Sequence, residues 1–447
     1  MSHTTQKPKT AQDIPRWRRA WWKLMDFDVG IIPLPIYILL IALMVVFSLI
    51  DGIGTELAFV IAIAAVFAFT LGEIGNRLPL LRQIGGGAIL VTFLPSLLGF
   101  LGWIPEPMVT AVGDFFNDTK VLNLFIAAVI VGSILSMDRS ILIKGFVKIF
   151  IPLIAGTLLA TGVGMLSGLL FGIGAHDTFF YILVPIMAGG VGEGAIPLTL
   201  GYSQITGADQ GELLARVLPA IMVGNLTAVI LSGLLSFIGK RIPRLTGNGE
   251  LAPHKIDIDS DADSVKLTGK DMVKAVAAAG MVAVSLYLVG VLAHEILSWP
   301  APVVMLFLAV GLTLAHLVSP RIKAGSKIVY QFAITACAFP ILFTFSLTLT
   351  PWESLIQGFA PANLVTIVLT VTGMVAGGFL ASRLVKLYPI EAAIVTATHS
   401  GMGGAGDIAI LTASNRMQLM PFAQIATRIG GGLTVAAALI LYAFIGA

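Results

Sequence analysis

The chain has 447 residues, of which 57% are hydrophobic and 11% charged, and its formal net charge is +3. This composition excludes an ordinary soluble globular protein and predicts a protein that lives in a lipid bilayer. The basic residues fall in short loops and in the N-terminal segment, with no aromatic-interleaved stripe, so nucleic-acid binding is not expected. The single cysteine, Cys337, lies in an apolar run and excludes an intramolecular disulfide.

The N-terminal segment, residues 1–29, is basic, and the apolar run that follows it is too long for a signal peptide, so no cleavage is expected. Crossing the hydrocarbon core takes about 20 apolar residues in a helix, and by that length the sequence predicts about eleven spans. Two further apolar runs, 177–203 and 388–413, are interrupted by glycine clusters and predict hairpins that enter the membrane and return. The expected fold is an all-α polytopic membrane protein. The predicted spans lie near residues 30–50, 55–72, 86–104, 119–137, 146–172, 213–239, 272–296, 300–318, 326–350, 360–382 and 422–446.

Loop charge predicts the orientation of these spans, because basic loops stay on the cytoplasmic side. If both interrupted runs are re-entrant, every basic loop falls on the side of the N-terminus, which is then cytoplasmic, while the C-terminus is external. The opposite loops contain Glu106, Asp114 and Asp118, among other acidic residues. The polar stretch 240–271 is expected to be a cytoplasmic linker. The linker divides a first membrane half, residues 30–239, from a second, residues 272–447.

The two interrupted runs contain similar glycine motifs, GGVGEGAI at 189–196 and GGAGDIAI at 403–410, which are identical at five of eight positions. A span with an arginine near its start, Arg216 or Arg428, follows each copy. By loop parity the first hairpin enters from outside and the second from the cytoplasm, so the halves form an inverted repeat. Such repeats are typical of transporters with a site near the bilayer midplane. The alternative is that the glycines only pack helices closely.

Ionisable residues within membrane segments are costly and are functional candidates by default. Arg428 could bind a substrate carboxylate, or it could extend to the cytoplasmic rim. Glu193 and Asp407 occupy matching motif positions and could bind a cation, transfer a proton or cap a short helix. His399 changes charge near neutral pH and suits a proton-coupled step, with a hydrogen-bonded structural role as the alternative.

The two glycine motifs, GEIGNRLP at 72–79 and SNRMQLMPFAQIATRIGGG at 414–432 together resemble the 2-hydroxycarboxylate transporter family. The resemblance extends from about Gly30 to the C-terminus. It implies a homodimer in a bacterial inner membrane that moves malate or citrate with sodium or protons, or by exchange. It also implies an elevator mechanism, in which the domain with the site slides past a scaffold.

The sequence departs from the family's sodium-citrate symporters in ways that concern the substrate. Gly401 and Met402 replace an Asn-Arg pair, so one substrate-binding arginine is missing. Ala405 replaces a serine, Val191 an asparagine and Glu193 a small residue. Fewer cationic and polar side chains favour a dicarboxylate such as L-malate over citrate.

By this resemblance the substrate lies between the two glycine motifs and cations bind nearby. Symport of L-malate with Na+ is the favoured expectation; H+ coupling and precursor-product exchange are the alternatives. A simple channel is also an alternative, whereas no enzyme motif occurs in a span, so neither an enzyme nor an organic cofactor is expected. The substrate-binding candidates are Gly190, Val191, Gly192, Gly401, Met402, Gly403, Gly404, Ala405 and Arg428, and the cation or proton candidates are Gly189, Glu193, Thr398, His399, Ser400 and Thr427.

Overall fold

The computed structural model of the chain describes residues 15–50, 52–54, 56–79, 86–137, 139, 146–252, 268–297, 299–348 and 352–445. Nearly all of this part is helical. Its strands are one antiparallel pair of two residues each, β1 (Asp28–Val29) and β2 (Ile32–Pro33). The predicted all-α membrane architecture is confirmed at this level.

In the part of the chain that the structure describes, eleven α-helices precede the predicted linker. Local sequence signals start several of them: Asp209, for example, accepts hydrogen bonds from the nitrogens of Gly211 (2.8 Å) and Glu212 (3.1 Å) and so caps a helix N-terminus. The helices are α1 (Arg16–Met25), α2 (Leu34–Leu49), α3 (Leu57–Arg77), α4 (Gly86–Phe100), α5 (Glu106–Thr119), α6 (Val121–Leu135), α7 (Phe146–Leu170), α8 (Ala175–Asp177), α9 (Val184–Ile186), α10 (Ile196–Thr206) and α11 (Gln210–Arg241).

Ten more follow the linker, and both halves contain wider π-helical turns, which often occur at functional sites. In the described part these π-turns are Thr178–Leu183, Val191–Ala195, Ala333–Cys337 and Ile425–Gly430. The later helices are α12 (Gly269–Leu297), α13 (Ala301–Leu314), α14 (Pro320–Phe332), α15 (Ala338–Thr348), α16 (Trp352–Gln357), α17 (Pro361–Ala381), α18 (Pro389–Thr398), α19 (Gly404–Ser414), α20 (Met420–Gln424) and α21 (Gly431–Ile445). Short 3-10 turns lie at Pro243–Leu245, Ser382–Val385 and Met417–Leu419.

Seven helical stretches within the described residues are long and apolar enough to cross a membrane, and the bent pair α5 and α6 would make an eighth span. Shorter apolar helices include α2, α13 and α18. The chain is therefore a multi-pass membrane protein, while the number of about eleven spans stays a prediction.

The structure corrects the prediction for the residues that precede the span 119–137, which were expected to form an acidic loop. Glu106, Asp114 and Asp118 instead belong to helix α5. The chain then breaks at Lys120, whose φ of 50° is left-handed, and the axes on either side differ by 58°. A loop was predicted because charged residues on one face of an amphipathic helix resemble a polar loop in the sequence.

The helices pack in two groups. One group, the frame, contains α3–α6 and α12–α15, and the other, the hairpin group, contains α7–α11 and α17–α21. The two groups meet where α6 and α13 pack against α21 and the segments before it. Within the hairpin group, α7 and α17 approach closely because glycines lie at the contact: a methyl group on Gly377 would lie 2.6 Å from the Ala155 oxygen.

Both interrupted runs fold back on themselves. In the first hairpin, residues 175–206, the Tyr202 hydroxyl donates to the Phe180 oxygen at 3.1 Å. In the second hairpin, residues 389–414, helices α18 and α19 pack together on either side of a break at 399–403. The membrane face from which each hairpin enters stays a prediction.

The first residues of the predicted linker are well packed. Lys240 and Arg241 still belong to α11, and residues 246–252 lie against the base of the second hairpin, where the Tyr388 nitrogen donates to the Leu251 oxygen at 3.0 Å. The middle of the linker, 253–267, lies outside the described residues.

Candidate functional site

The glycine breaks of the two hairpins meet backbone to backbone. Gly190 has a φ of +110°, and a methyl group built on it would overlap the Gly403 nitrogen and lie 2.7 Å from the Met402 carbonyl carbon. Gly189, with a φ of +85°, packs in the same way on the Thr427 oxygen. These positions require glycine both for the left-handed backbone and for the close approach. The repeat therefore brings both predicted motifs to one place.

Arg428 lies beside this meeting point and faces Glu193. The Arg428 Nε is 4.0 Å from the Glu193 Oε2, and both side chains are largely buried, with 13% and 9% of their surface exposed. Tyr330, from the frame helix α14, donates a hydrogen bond to Glu193 Oε1, and the Arg428 guanidinium carbon lies 4.5 Å from the centre of its ring. Within the described part, Glu193 Oε2 has no hydrogen-bond partner. Arg428 thus already pairs with a carboxylate of the protein.

Asp407 belongs to a separate cluster of oxygen atoms. The Thr427 hydroxyl lies 2.7 Å from Asp407 Oδ1, to which it can donate, and 3.2 Å from the Thr398 carbonyl oxygen. All three residues are almost completely buried. A carboxylate, a hydroxyl and a carbonyl are ligands that a hard cation prefers.

Both acidic residues lie in the first turn of a helix, whose N-cap position is a glycine without a side-chain cap. Among the described contacts, Glu193 accepts a hydrogen bond from Tyr330 and Asp407 one from Thr427. Capping stays an alternative role for both carboxylates.

His399 and Ser400 lie at the break of the second hairpin but turn away from the glycine contact. His399 Nε2 is 3.4 Å from the Thr434 hydroxyl on α21, and the ring is 1% exposed. The Ser400 hydroxyl donates to the Ala397 oxygen at 2.8 Å, within its own turn. The Thr398 hydroxyl is likewise bonded to its own helix, at 2.7 Å from the Val395 oxygen, so Thr398 offers its carbonyl and not its hydroxyl.

A narrow cleft opens onto Glu193 and Arg428 between the two helix groups. Its walls include Ser133 of α6 and Pro302 of α13 on one side, and Gly432 of α21 on the other. The cavity is about 20 Å³, room for about one water molecule. A substrate can enter this space only if the groups move apart.

The other predicted substrate residues surround the meeting point. Val191 is buried, and Gly192 faces Phe125 and Ile334 of the frame, since a methyl group on it would lie 3.7 Å from both side chains. Met402 is half-buried. A methyl group built on Gly404 would have no described atom of another residue within 4 Å. The side chain of Ala405 is outside the described part of the structure, and Gly401 is buried beside Asp407.

Sequence reasoning missed two residues of this region. Asn225, fully buried on α11, accepts a hydrogen bond from the Met402 nitrogen at 3.2 Å and so supports the second break. Tyr330 reaches the site from the frame. A lone asparagine in the apolar string MVGNLTAV was a visible signal for the first, whereas nothing in the local sequence marked the second.

An acidic residue at the base of each hairpin forms an ion pair. These residues, Asp177 and Glu391, occupy equivalent positions, because each lies 12 residues before the first glycine of its motif. Asp177 pairs with Arg216 at 3.2 Å, and these side chains are 47% and 44% exposed. Glu391 pairs with Arg416 at 3.0 Å, with exposures of 0% and 6%. Arg216 therefore serves the hairpin base and does not reach the glycines.

Charged groups buried among apolar membrane helices, next to helices that break at glycine, are the architecture of a secondary transporter. The family comparison agrees with this class. The model of the 2-hydroxycarboxylate transporter family matches residues 29–440, and the chain belongs to that family. Its relatives are transporters and not enzymes.

Three relatives match this chain over nearly their full length, and their names include both proton and sodium symporters. The chain is 46% identical to a citrate/malate-proton symporter of Bacillus subtilis, over 98% of each chain. It is 35% identical to a Na(+)-malate symporter of the same organism, over 94% of each chain. It is 30% identical to a citrate/sodium symporter of Salmonella typhimurium, over 94% of this chain and 95% of the relative.

Proposed function

We propose that this protein imports a small 2-hydroxydicarboxylate, with L-malate preferred, by symport with a cation. The observation that supports this most is the pairing of Arg428 with Glu193 next to the glycine contact. A guanidinium binds one carboxylate through two parallel hydrogen bonds. One arginine at the site, with glycine and methionine at 401 and 402, suits two carboxylates better than three.

The backbone supplies the remaining contacts. Helix α19 starts at Gly404, next to the glycine contact, and the first nitrogens of a helix have no partner within it. Free N–H groups and the positive end of the helix dipole favour an anion there. We place the second carboxylate of the substrate at this helix start, close to Gly403 and Gly404.

The proton is the coupling ion that the geometry supports best. A substrate carboxylate that binds Arg428 would share this guanidinium with Glu193, so one negative charge at this buried place would lack a cation of its own. Such a charge is costly in a low-dielectric site, and taking up a proton removes it. Tyr330 can then still contact a neutral Glu193. The relative with 46% identity is named as a proton symporter, which supports the same conclusion.

Sodium, the ion favoured by the sequence, is the second candidate. It is supported by the Thr427 hydroxyl oxygen, which lies 2.7 Å from Asp407 Oδ1 and 3.2 Å from the Thr398 carbonyl oxygen. The sodium-coupled relative at 35% identity is consistent with this alternative. In both cases a cation offsets the charge that the dianion brings into the membrane.

The two helix groups suggest which parts move. Arg428 and both hairpins belong to the hairpin group, whereas Tyr330 belongs to the frame. Sliding of the hairpin group along α6 and α13 would carry the site across the membrane and separate Arg428 from Tyr330. We extend the proposal to this elevator movement, to a homodimer in the bacterial inner membrane, and to a cytoplasmic N-terminus and an external C-terminus.

The test is uptake of labelled L-malate into proteoliposomes, driven separately by an inward proton gradient and an inward sodium gradient, with unlabelled citrate as competitor. We expect uptake to follow the proton gradient, to rise as external pH falls, and to be weakly inhibited by citrate. In Glu193→Gln, exchange of malate should persist while the dependence on the proton gradient is lost. The control is Glu73→Gln, which changes an exposed i,i+4 pair with Arg77 far from the site.

Each other result has a definite meaning. Uptake driven by sodium alone would exclude proton coupling and favour the Asp407 cluster. Uptake that needs malate on the inside would indicate an exchanger. Absence of saturable malate transport under every gradient would refute the proposed substrate.

A further inference from the structure

Helix α1 is strongly two-sided, and all of its residues stay at least partly exposed although it packs against α2. With the helical period, Trp17, Trp21 and Leu24 share one face. Their exposures are 66%, 49% and 46%. Every described residue of α1 is at least partly exposed, so both of its faces are open.

The opposite face of α1 is cationic. Arg16, Arg19 and Lys23 lie on it, Arg18 borders it, and the helix sequence RWRRAWWKLM contains no acidic residue. In the first turn of α1 there is no acidic side chain to offset these charges. The helix therefore offers a dense positive charge directly next to three tryptophans, Trp22 included.

The position of α1 next to the membrane is set by the turn that follows it. The β1–β2 turn reverses the chain, and the Leu34 nitrogen at the start of α2 donates to the Phe27 oxygen at 2.8 Å. Gly30, with a φ of +64°, packs this turn on the Phe69 ring of α3. Because of this turn, α1 and α2 do not form one continuous helix, and α1 lies at the N-terminal end of α2.

We propose that α1 lies in the headgroup layer of the membrane and binds anionic phospholipid there. A short helix with a basic face and a tryptophan-leucine face is the form that lies in the plane of the interface. Tryptophan prefers the headgroup level, and basic residues next to a span are attracted to an anionic leaflet. A docking site for a second protein copy would also cover the tryptophans, but it would not call for the excess of positive charge.

The expected electrostatic effect is about fivefold in the bound-to-free ratio for each cation, hence on the order of 100-fold for three. The test uses the full-length protein with Cys337 replaced by alanine and one new cysteine, either Leu24→Cys on the tryptophan face or Arg19→Cys on the basic face. Its readout is the rate of reaction with a water-soluble maleimide. Measurements are made in vesicles of phosphatidylcholine alone and in vesicles with phosphatidylglycerol, at low and high salt.

We expect residue 24 to react much more slowly when phosphatidylglycerol is present and residue 19 to stay reactive, with salt partly restoring the rate at residue 24. The triple variant Arg16→Gln, Arg19→Gln and Lys23→Gln should lose this protection. A matched variant without the exposed cations Lys240, Arg241 and Arg244 should keep it.

Three results would overturn the proposal. The first is equal reactivity of residues 19 and 24 in all vesicles. The second is equal protection of residue 24 with and without anionic lipid, which would indicate burial against protein. The third is equal loss of protection in both triple variants.

Discussion

Replacing Glu391 by glutamine removes the charge from the carboxylate on which the base of the second hairpin depends. Glu391 Oε1 accepts hydrogen bonds from the Thr246 hydroxyl at 2.6 Å, the Gly249 nitrogen at 3.2 Å and Arg416 Nε at 3.0 Å. Oε2 accepts one from the Gly247 nitrogen at 2.9 Å. This single side chain therefore joins the second hairpin to the segment that follows α11.

The magnitude follows from burial. Arg416 would keep its charge at 6% side-chain exposure without its anion, and breaking a buried pair in this way costs about 3–5 kcal/mol. If that cost falls on local opening, the open fraction of segment 246–252 rises about 150- to 4,500-fold. The equivalent pair in the first hairpin, Asp177 and Arg216, is nearly half exposed, so Asp177→Asn should cost only about 0–1 kcal/mol.

Hydrogen exchange followed by mass spectrometry measures this opening directly, because the amides of Gly247 and Gly249 donate to Glu391. We expect exchange of these amides to accelerate by at least about 100-fold in Glu391→Gln, given the cost of an unpaired buried cation. They should not respond to Asp177→Asn. A change below about tenfold, or an equal change in both variants, would refute the reasoning from burial.

Gly190→Ala should abolish malate uptake in a protein that still inserts and folds, because the methyl group overlaps the Gly403 backbone and the left-handed conformation adds about 1–2 kcal/mol of strain. Gly162→Ala, at a position with no neighbour within 4 Å, should transport normally; similar loss in both would contradict a special role for the contact. Asn225→Ala leaves the partly buried Met402 nitrogen without this acceptor at a cost of about 1–3 kcal/mol, so the KM for malate should rise at least about fivefold. An unchanged KM would show that the second break does not depend on Asn225.

The fold class could be predicted because hydrophobicity and loop charge act locally along the chain. The two glycine interruptions were visible in the sequence, and re-entry of both runs into the membrane stays a prediction. The bend at Lys120 was not, since a single left-handed residue leaves no trace in hydropathy. Nor was the packing of residues 246–252, because a segment rich in glycine resembles a loose linker until the residue that binds it, Glu391, is brought near by the fold.

The candidate site could be predicted only in part, for the same reason. Internal similarity identified the two glycine motifs that the structure brings together, along with Glu193 and Arg428. It also suggested that Glu193 and Asp407 act alike, yet the first faces Tyr330 and the second Thr427. Equivalent positions in a repeat share a backbone, but their neighbours come from different parts of the chain.

The contact between Gly190 and Gly403 also limits how the substrate preference of this protein can be changed. A side chain at Gly190 would overlap the Gly403 backbone, and Gly403 has a φ of +69°, a conformation that residues with a side chain rarely adopt. Mutagenesis aimed at a larger or smaller acid will therefore find no useful variation at the glycines. It should begin with Val191 and Met402, whose side chains border the same contact and can be exchanged without altering the backbone.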